Sequence, residues 1–248
     1  MVLTSVQPGY LAAAAHITHV AHVFALTIFI LILVWVLHFR GGAARLHSDD
    51  ANLIFNVHPL VMSLGFILII GEAIMAYKIV PADKMLQKFV HLLLHLIALG
   101  LGILGIYAAF KYHNAATLPD MVSLHSWLGM LTICLFGLQV TIKLKILICA
   151  VKFMNGIDGE GGDVAQWVFG FVNFWFPGAS PAMRGLLVPV HKSAGLVVFL
   201  MTVCTAETGL VQMDAAPGAE SRVINFTGLF MLLFAFAVSV SVALPKVF

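Results

Sequence analysis

The stretch "NLIFNVHPLVMSLGFILIIGEAIMAYK" (52–78) decides the fold. From position 57 to 77 it is nearly unbroken apolar sequence, about the 20 residues that cross the hydrocarbon of a bilayer. Two ionisable side chains interrupt it, His58 at its mouth and Glu72 within it. A titratable group in such a run is costly unless something binds it, so it is a functional hypothesis from the outset.

The rest of the chain agrees with this stretch. Its 248 residues are 61% hydrophobic and 10% charged, with a mean hydropathy of +1.04. A soluble domain is about half apolar and a quarter charged. Spans can be drawn at 18–38, 57–77, 89–110, 123–142, 190–211 and 223–244, joined mostly by short loops. The expectation is an all-α membrane protein, one domain over 18–244, with six transmembrane helices. The first run lacks a basic leader and has its alanines (12–15) before it, so it is expected to be a retained helix and not a cleaved signal.

Loop charges give the orientation. One side carries Lys78, Lys84, Lys88, Lys143, Lys145, Lys152, Arg184 and Lys246; the other carries Arg40, Arg45, Lys111 and Arg222. The richer side, which holds both termini, is expected to be cytoplasmic. A net charge of +2 with no basic face gives no reason to expect nucleic acid. Cys134, Cys149 and Cys204 are odd in number and lie among apolar neighbours, so they read as small core residues, not a disulfide framework.

Eleven histidines is a high count, and their placement says more. His58 and His125 open helices 2 and 4 at the non-cytoplasmic ends. His91 and His191 open helices 3 and 5 at the cytoplasmic ends. Two pairs at two membrane levels are what two bis-histidine haems need, because haem iron takes axial ligands from side chains and helix bundles build cofactor sites in their cores. With a rise of about 1.5 Å per residue, the two levels lie roughly 20–25 Å apart in depth. Any one of these histidines alone reads as an interfacial residue; the paired set carries the inference. His95, four residues after His91, shares its face, and spacing does not choose between them. His16, His19 and His22 read as an interfacial prelude to helix 1, and His38 and His47 as solvated loop residues. Glu72 and Glu207 read as structural or haem-environment groups, each protonated or hydrogen-bonded.

The stretches "LHFRGG", "IFNVHPLVM", "GEAIMAYK", "KFVHLLLH", "AAFKYH", "SLHSWLG", "FWFPG" and "VPVHKSAG" resemble, in order, those of the cytochrome b561 family, specifically its plant-type transmembrane ascorbate ferrireductases. The resemblance implies a central four-helix bundle holding two haem b groups, usually in a homodimer, in a vacuolar, other endomembrane or plasma membrane. It pairs His58 with His125 and His91 with His191, preferring His91 to His95. It implies that ascorbate on the cytoplasmic side is the electron donor, and that a ferric chelate or the monodehydroascorbate radical is the acceptor. Lys84, Lys88 and Arg184, which lie seven and three residues before His91 and seven before His191, match basic positions that contact ascorbate or the haem propionates. They also serve as positive-inside charges. Lys78, standing alone, reads first as such a charge and is carried with Lys84 as a haem-binding candidate. His113 in "FKYHNA" matches the non-cytoplasmic substrate site, with a plain loop histidine as its bland alternative. The rival class is a haem-free transporter or channel using the histidines as proton relays. No nicotinamide-binding motif or CxxC pair accompanies the spans.

The segment "VTIKLKILICAVKFMNGIDGEGGDVAQ" (140–166) interrupts the resemblance within helix 4. It is read as an atypical insertion, either a genuine cytoplasmic one or, by preference, a retained intron translated in frame, since an intron beginning GT can encode valine first and one ending AG can encode glutamine last. Its apolar first half is expected to replace the lost end of the helix, leaving "WVFGFVNFW" near the cytoplasmic surface.

Overall fold

The computed structural model describes residues 8–43, 49–154, 181–213 and 215–244. Helix α1 runs Pro8–Val34 and continues as a π-helical turn, Trp35–Phe39. Helix α2 fills Ala51–Ile79. It is α-helical over Ala51–Phe55 and Val57–Met62, π-helical over Ser63–Ile69 and α-helical again over Ile70–Ile79. Then come α3 (Lys84–Ala115), α4 (Leu124–Met154), α5 (Pro181–Val211) and α6 (Ala219–Ala243). Among the described residues there is no strand, and six helices are long and apolar enough to cross a membrane. The protein is an integral, multi-pass membrane protein of the all-α class.

Local chemistry sets the helix starts. Asp50 accepts from Asn52 N at 2.9 Å and Asp83 from Leu86 N at 2.8 Å, each satisfying a first-turn N–H that has no partner within the helix. Between α1 and α2 the chain turns through Gly41 (φ 74°) and Gly42 (φ 100°), left-handed values that glycine adopts without a Cβ penalty. Asn56 Nδ2 clamps this turn, donating to Arg40 O (3.0 Å) and Gly42 O (2.6 Å). The clamp sits two residues before His58.

The chain divides into two units, Met1–Ile133 with Phe199–Phe248, and Cys134–Val198. In the first, α1 packs along α6, and α2 packs against α3 and α6. Thr18 and Ser241 hydroxyls pair at 2.8 Å in the buried α1–α6 seam. At the other end of that seam Glu220 accepts from Trp35 Nε1 (3.0 Å) and Arg40 Nε lies 2.7 Å from the same oxygen. Glu220 occupies the first turn of α6, where the helix dipole favours an anion. Such interhelical bonds average about 0.6 kcal/mol in a bilayer, so they set register more than they add stability. The close approach of α2 to α3 needs Gly102, because a Cβ there would overlap the Phe66 ring. The π-helical turn of α2 meets α5, where the Thr202 hydroxyl shares its proton between Phe199 O (2.6 Å) and Phe66 O (3.1 Å).

Three expectations are corrected here. Helix α1 starts at Pro8, so His16, His19 and His22 are inside the helix and not ahead of it; the intervening alanines are the strongest helix formers and carry the helix outward. His22 Nδ1 donates to Glu72 Oε1 of α2 at 2.9 Å, which gives that intramembrane carboxylate its partner. His38 belongs to the π-helical end of α1, its ring edge-on to Phe39, while His47 lies outside the described residues. Cys134 and Cys204 are exposed, not core. In a bilayer-facing protein apolar neighbours do not imply an inward direction, since lipid is itself apolar. The side chain of Cys149 lies outside the described ones.

In the second unit α4 runs on through Val140 to Met154, and α5 begins at Pro181. Residues 140–154 are therefore helical, whereas 155–166 and the "WVFGFVNFW" segment lie outside the described residues.

Candidate functional site: paired histidines at two membrane levels

His58 lies in the second α-helical piece of α2, and His125 is the second residue of α4. Their ring centroids are 5.9 Å apart with the planes at 85°. Each ring is held from behind. His58 Nδ1 donates to Gly105 O of α3 at 2.9 Å, and His125 Nδ1 to Thr205 O of α5 at 2.8 Å. A carbonyl only accepts, so both rings carry their proton on Nδ1 and present a lone pair at Nε2. Metal-binding histidines are held in this way, by a carbonyl or carboxylate on the second nitrogen. An imidazole nitrogen bonds a transition-metal ion at about 2 Å, so two rings on opposite sides of one ion have centroids roughly 6 Å apart. The separation of the two rings matches what two imidazoles on one such ion would need. Gly209 makes room for it, because a Cβ there would lie 2.8 Å from His125 Cε1 and 2.9 Å from Nδ1.

The other level is marked by His91 of α3, buried at 7% exposure. Its Nδ1 donates across to Ala73 O of α2 at 2.8 Å, and Tyr77 packs with its ring centroid 5.3 Å away. His95 Nδ1 instead donates to His91 O at 2.7 Å, within its own helix. The His91 ring is thus tied to the neighbouring helix α2 through Nδ1, whereas the Nδ1 of His95 is tied to its own helix. Gly105, the anchor of His58, is 14 residues beyond His91 along α3, or about 21 Å at 1.5 Å per residue. His191 lies in α5, in the second unit, two residues after Pro189.

The charged candidates come from three helices. Lys84 opens α3 and is exposed, and Lys88 follows one turn later. Lys78 Nζ donates to Leu244 O, the C-cap of α6, so this lysine closes a helix end. Arg184 is in the first turn of α5, with its side chain outside the described ones. Glu207 keeps Oε1 buried with no hydrogen-bond partner.

At the far end of α3 His113 Nδ1 donates to Asp120 Oδ1 at 2.9 Å. Ring contacts lead inward from it: His113 to Tyr112 at 5.9 Å, Tyr112 to Phe55 at 4.9 Å, and Phe55 to His58 at 6.2 Å. Sequence reasoning did not find Asp120, Phe55 or the Asn56 clamp. Only Pro119, a turn signal beside Asp120, pointed to any of them.

The family model for eukaryotic cytochrome b561 matches residues 57–155 and 163–216, more than half of the chain, and takes in His58, His91, His125 and His191. The chain belongs to the cytochrome b561 family. It is 42% identical over 242 residues to the probable ascorbate-specific transmembrane electron transporter 2 of Oryza sativa subsp. japonica, covering 94% of this chain and 90% of that one. With transmembrane ascorbate ferrireductase 1 of Arabidopsis thaliana it shares 39% over 230 residues, covering 89% and 84%. With a plasma membrane ascorbate-dependent reductase of Xenopus laevis it shares 33% over 214 residues, covering 82% and 65%. A cytochrome b561 carries haem b, and among the described residues the His58–His125 pair has the geometry to hold it.

Proposed function

We propose that this cytochrome b561 is a dihaem transmembrane oxidoreductase that takes single electrons from cytoplasmic ascorbate and delivers them across the membrane to a ferric chelate or the monodehydroascorbate radical. The observation that carries the reading is the facing of His58 and His125, with both Nδ1 atoms tied to backbone carbonyls. The names of the relatives, ascorbate-specific electron transporters and ascorbate ferrireductases, support the donor. His91 and His191 hold the second, cytoplasmic haem; both termini face the cytoplasm, and the working form is a homodimer. Haem held by these histidines would supply reversible one-electron chemistry. The side chains position it, bind the donor and manage protons.

Lys84, Lys88 and Arg184 draw the ascorbate anion to the cytoplasmic mouth, and Lys78 and Lys84 support the cytoplasmic haem. Cationic side chains hold oxyanions by charge-assisted hydrogen bonds. Lys84→Ala, Lys88→Ala or Arg184→Ala is expected to slow haem reduction by ascorbate about tenfold, a loss of roughly one charge-assisted hydrogen bond, and to slow an uncharged donor much less. Raising the salt mimics part of this loss, since exposed charges are screened beyond about 8–10 Å at 0.10–0.15 M. Stopped-flow reduction with the two donors makes the comparison, and equal slowing of both sinks the assignment.

Residues 140–166 are an insertion in helix 4, translated from a retained intron. The family match breaks only at 156–162, inside this segment, and residues 140–155 and 163–166 fall within the match. Deleting 140–166 is expected to raise expression and the rate of ascorbate reduction, and the transcript pool to contain a form joining Gln139 to Trp167. If only the long transcript exists and the deletion abolishes haem binding, the segment is native architecture.

A further inference from the structure

The loop after α3 holds a feature that electron transfer alone does not require. Helix α3 closes with Leu118 N donating to His113 O (2.9 Å) and Thr117 N to Asn114 O (3.3 Å), which reverses the chain over the helix end. Thr117 (φ 54°) and Met121 (φ 58°) are left-handed, and among the described residues no other non-glycine has a positive φ. Side chains with a Cβ resist this conformation, and such strain persists where the surroundings over-determine it, often at functional sites. The two strained residues bracket Asp120, and the reversal places its carboxylate 2.9 Å from His113 Nδ1. Both side chains remain partly exposed. The other titratable groups near the ring are Tyr112, which packs against it, the adjoining Lys111, and His58, which lies beyond Tyr112 and Phe55 in the series of ring contacts.

We infer that Asp120 is a positioning residue for His113, making the pair a proton donor to the monodehydroascorbate radical at the non-cytoplasmic mouth. This rests on the reading of His113 as part of the acceptor site. The Asp120 carboxylate accepts the Nδ1–H, fixes the ring plane, and offsets the positive charge when the ring also carries a proton on Nε2. A carboxylate orients and supports a histidine acid–base in the same manner in hydrolytic triads. In the step itself the radical anion gains one electron from the ascorbate-driven chain. The Nε2–H bond breaks, an O–H bond forms on the radical's oxygen, and the products are the ascorbate monoanion and neutral imidazole, which water reprotonates. A ferric chelate needs the electron and no proton. The pair therefore discriminates between acceptors by their chemistry.

The test compares the full-length native protein, His113→Gln, Asp120→Asn and Asp120→Glu, each reduced with ascorbate and reoxidised by pulse-generated monodehydroascorbate or by ferric citrate. Haem spectra and the preceding reduction by ascorbate report intact folding. With the radical, His113→Gln is expected to lower kcat about a hundredfold, the low end for a lost general acid. Asp120→Asn is expected to lower it about tenfold with little change in KM, as for loss of an orienting carboxylate. Ferric citrate loses far less in both, and Asp120→Glu recovers most of the radical rate. If His113→Gln slows the radical but Asp120→Asn does not, Asp120 has no positioning role. Equal slowing of both acceptors by Asp120→Asn, unrelieved by glutamate, makes the pair a loop clasp and overturns the inference. If His113→Gln affects neither acceptor, the acceptor-site reading itself falls.

Discussion

On the proposed two-haem reading, replacing His58 or His125 with alanine is expected to remove the non-cytoplasmic haem and leave the cytoplasmic one, so that purified protein would retain about half its haem absorbance per chain. The two rings face one another at 5.9 Å and are fixed by Gly105 O and Thr205 O, 14 residues along α3 from the level of His91. Removing either ring takes away an axial ligand, and no histidine of the other level can reach across about 20 Å of helix. A subtler change gives the same result. A methyl group at Gly209 meets the His125 ring at 2.8 Å, and that ring cannot retreat without breaking its bond to Thr205 O. Gly209→Ala is therefore expected to lose the same haem as His125→Ala, while Gly195→Ala, which has open space, keeps both. Haem-to-protein ratios of the four variants decide it; loss of both haems together from His58→Ala contradicts the two-level arrangement.

His91→Ala and His95→Ala should differ sharply although the residues share a helical face. His91→Ala is expected to lose the cytoplasmic haem and, with it, rapid reduction by ascorbate. His95→Ala is expected to keep both haems. The physical reason is the partner of each Nδ1. His91 is oriented by Ala73 O on the neighbouring α2, which aims its Nε2 independently of its own helix, whereas His95 turns back to His91 O. Partners that orient a metal-binding histidine are worth about 10–100-fold in affinity. Haem loss from His95→Ala with haem retained in His91→Ala reverses the assignment. His191→Ala should match His91→Ala, as the other member of that pair.

The spans were legible because a bilayer leaves the backbone few choices: about 20 apolar residues must form a helix whatever its neighbours do. The approach of His58 to His125 was foreshadowed for the same reason, since position along a span converts directly into depth. What a span faces was not. His22 and Glu72 are 50 positions apart, and only packing of α1 on α2 brings them to 2.9 Å. Lys78 reads as a loop charge until the end of α6 arrives beside it. Cys134 and Cys204 sit in apolar sequence on either reading, inward or toward lipid, so composition could not choose. The π-helical turn at Ser63–Ile69 has no sequence signature, since its hydrogen bonds shift by one residue without any change in apolar pattern. Asp120 was hidden differently: a carboxylate seven residues after His113 becomes its partner only because Thr117 adopts a left-handed conformation that sequence gives no reason to expect of a β-branched residue.

On the proposed reading, His58 with His125 and His91 with His191 hold two haems that ascorbate reduces. The most direct measurement is the ascorbate-reduced minus air-oxidised absorbance spectrum of the purified chain, with haem quantified per protein. A b-type α-band corresponding to two haem b groups per chain is expected on addition of ascorbate alone. A chain with no α-band contradicts this reading, and so does a single haem that His58→Ala and His91→Ala remove equally.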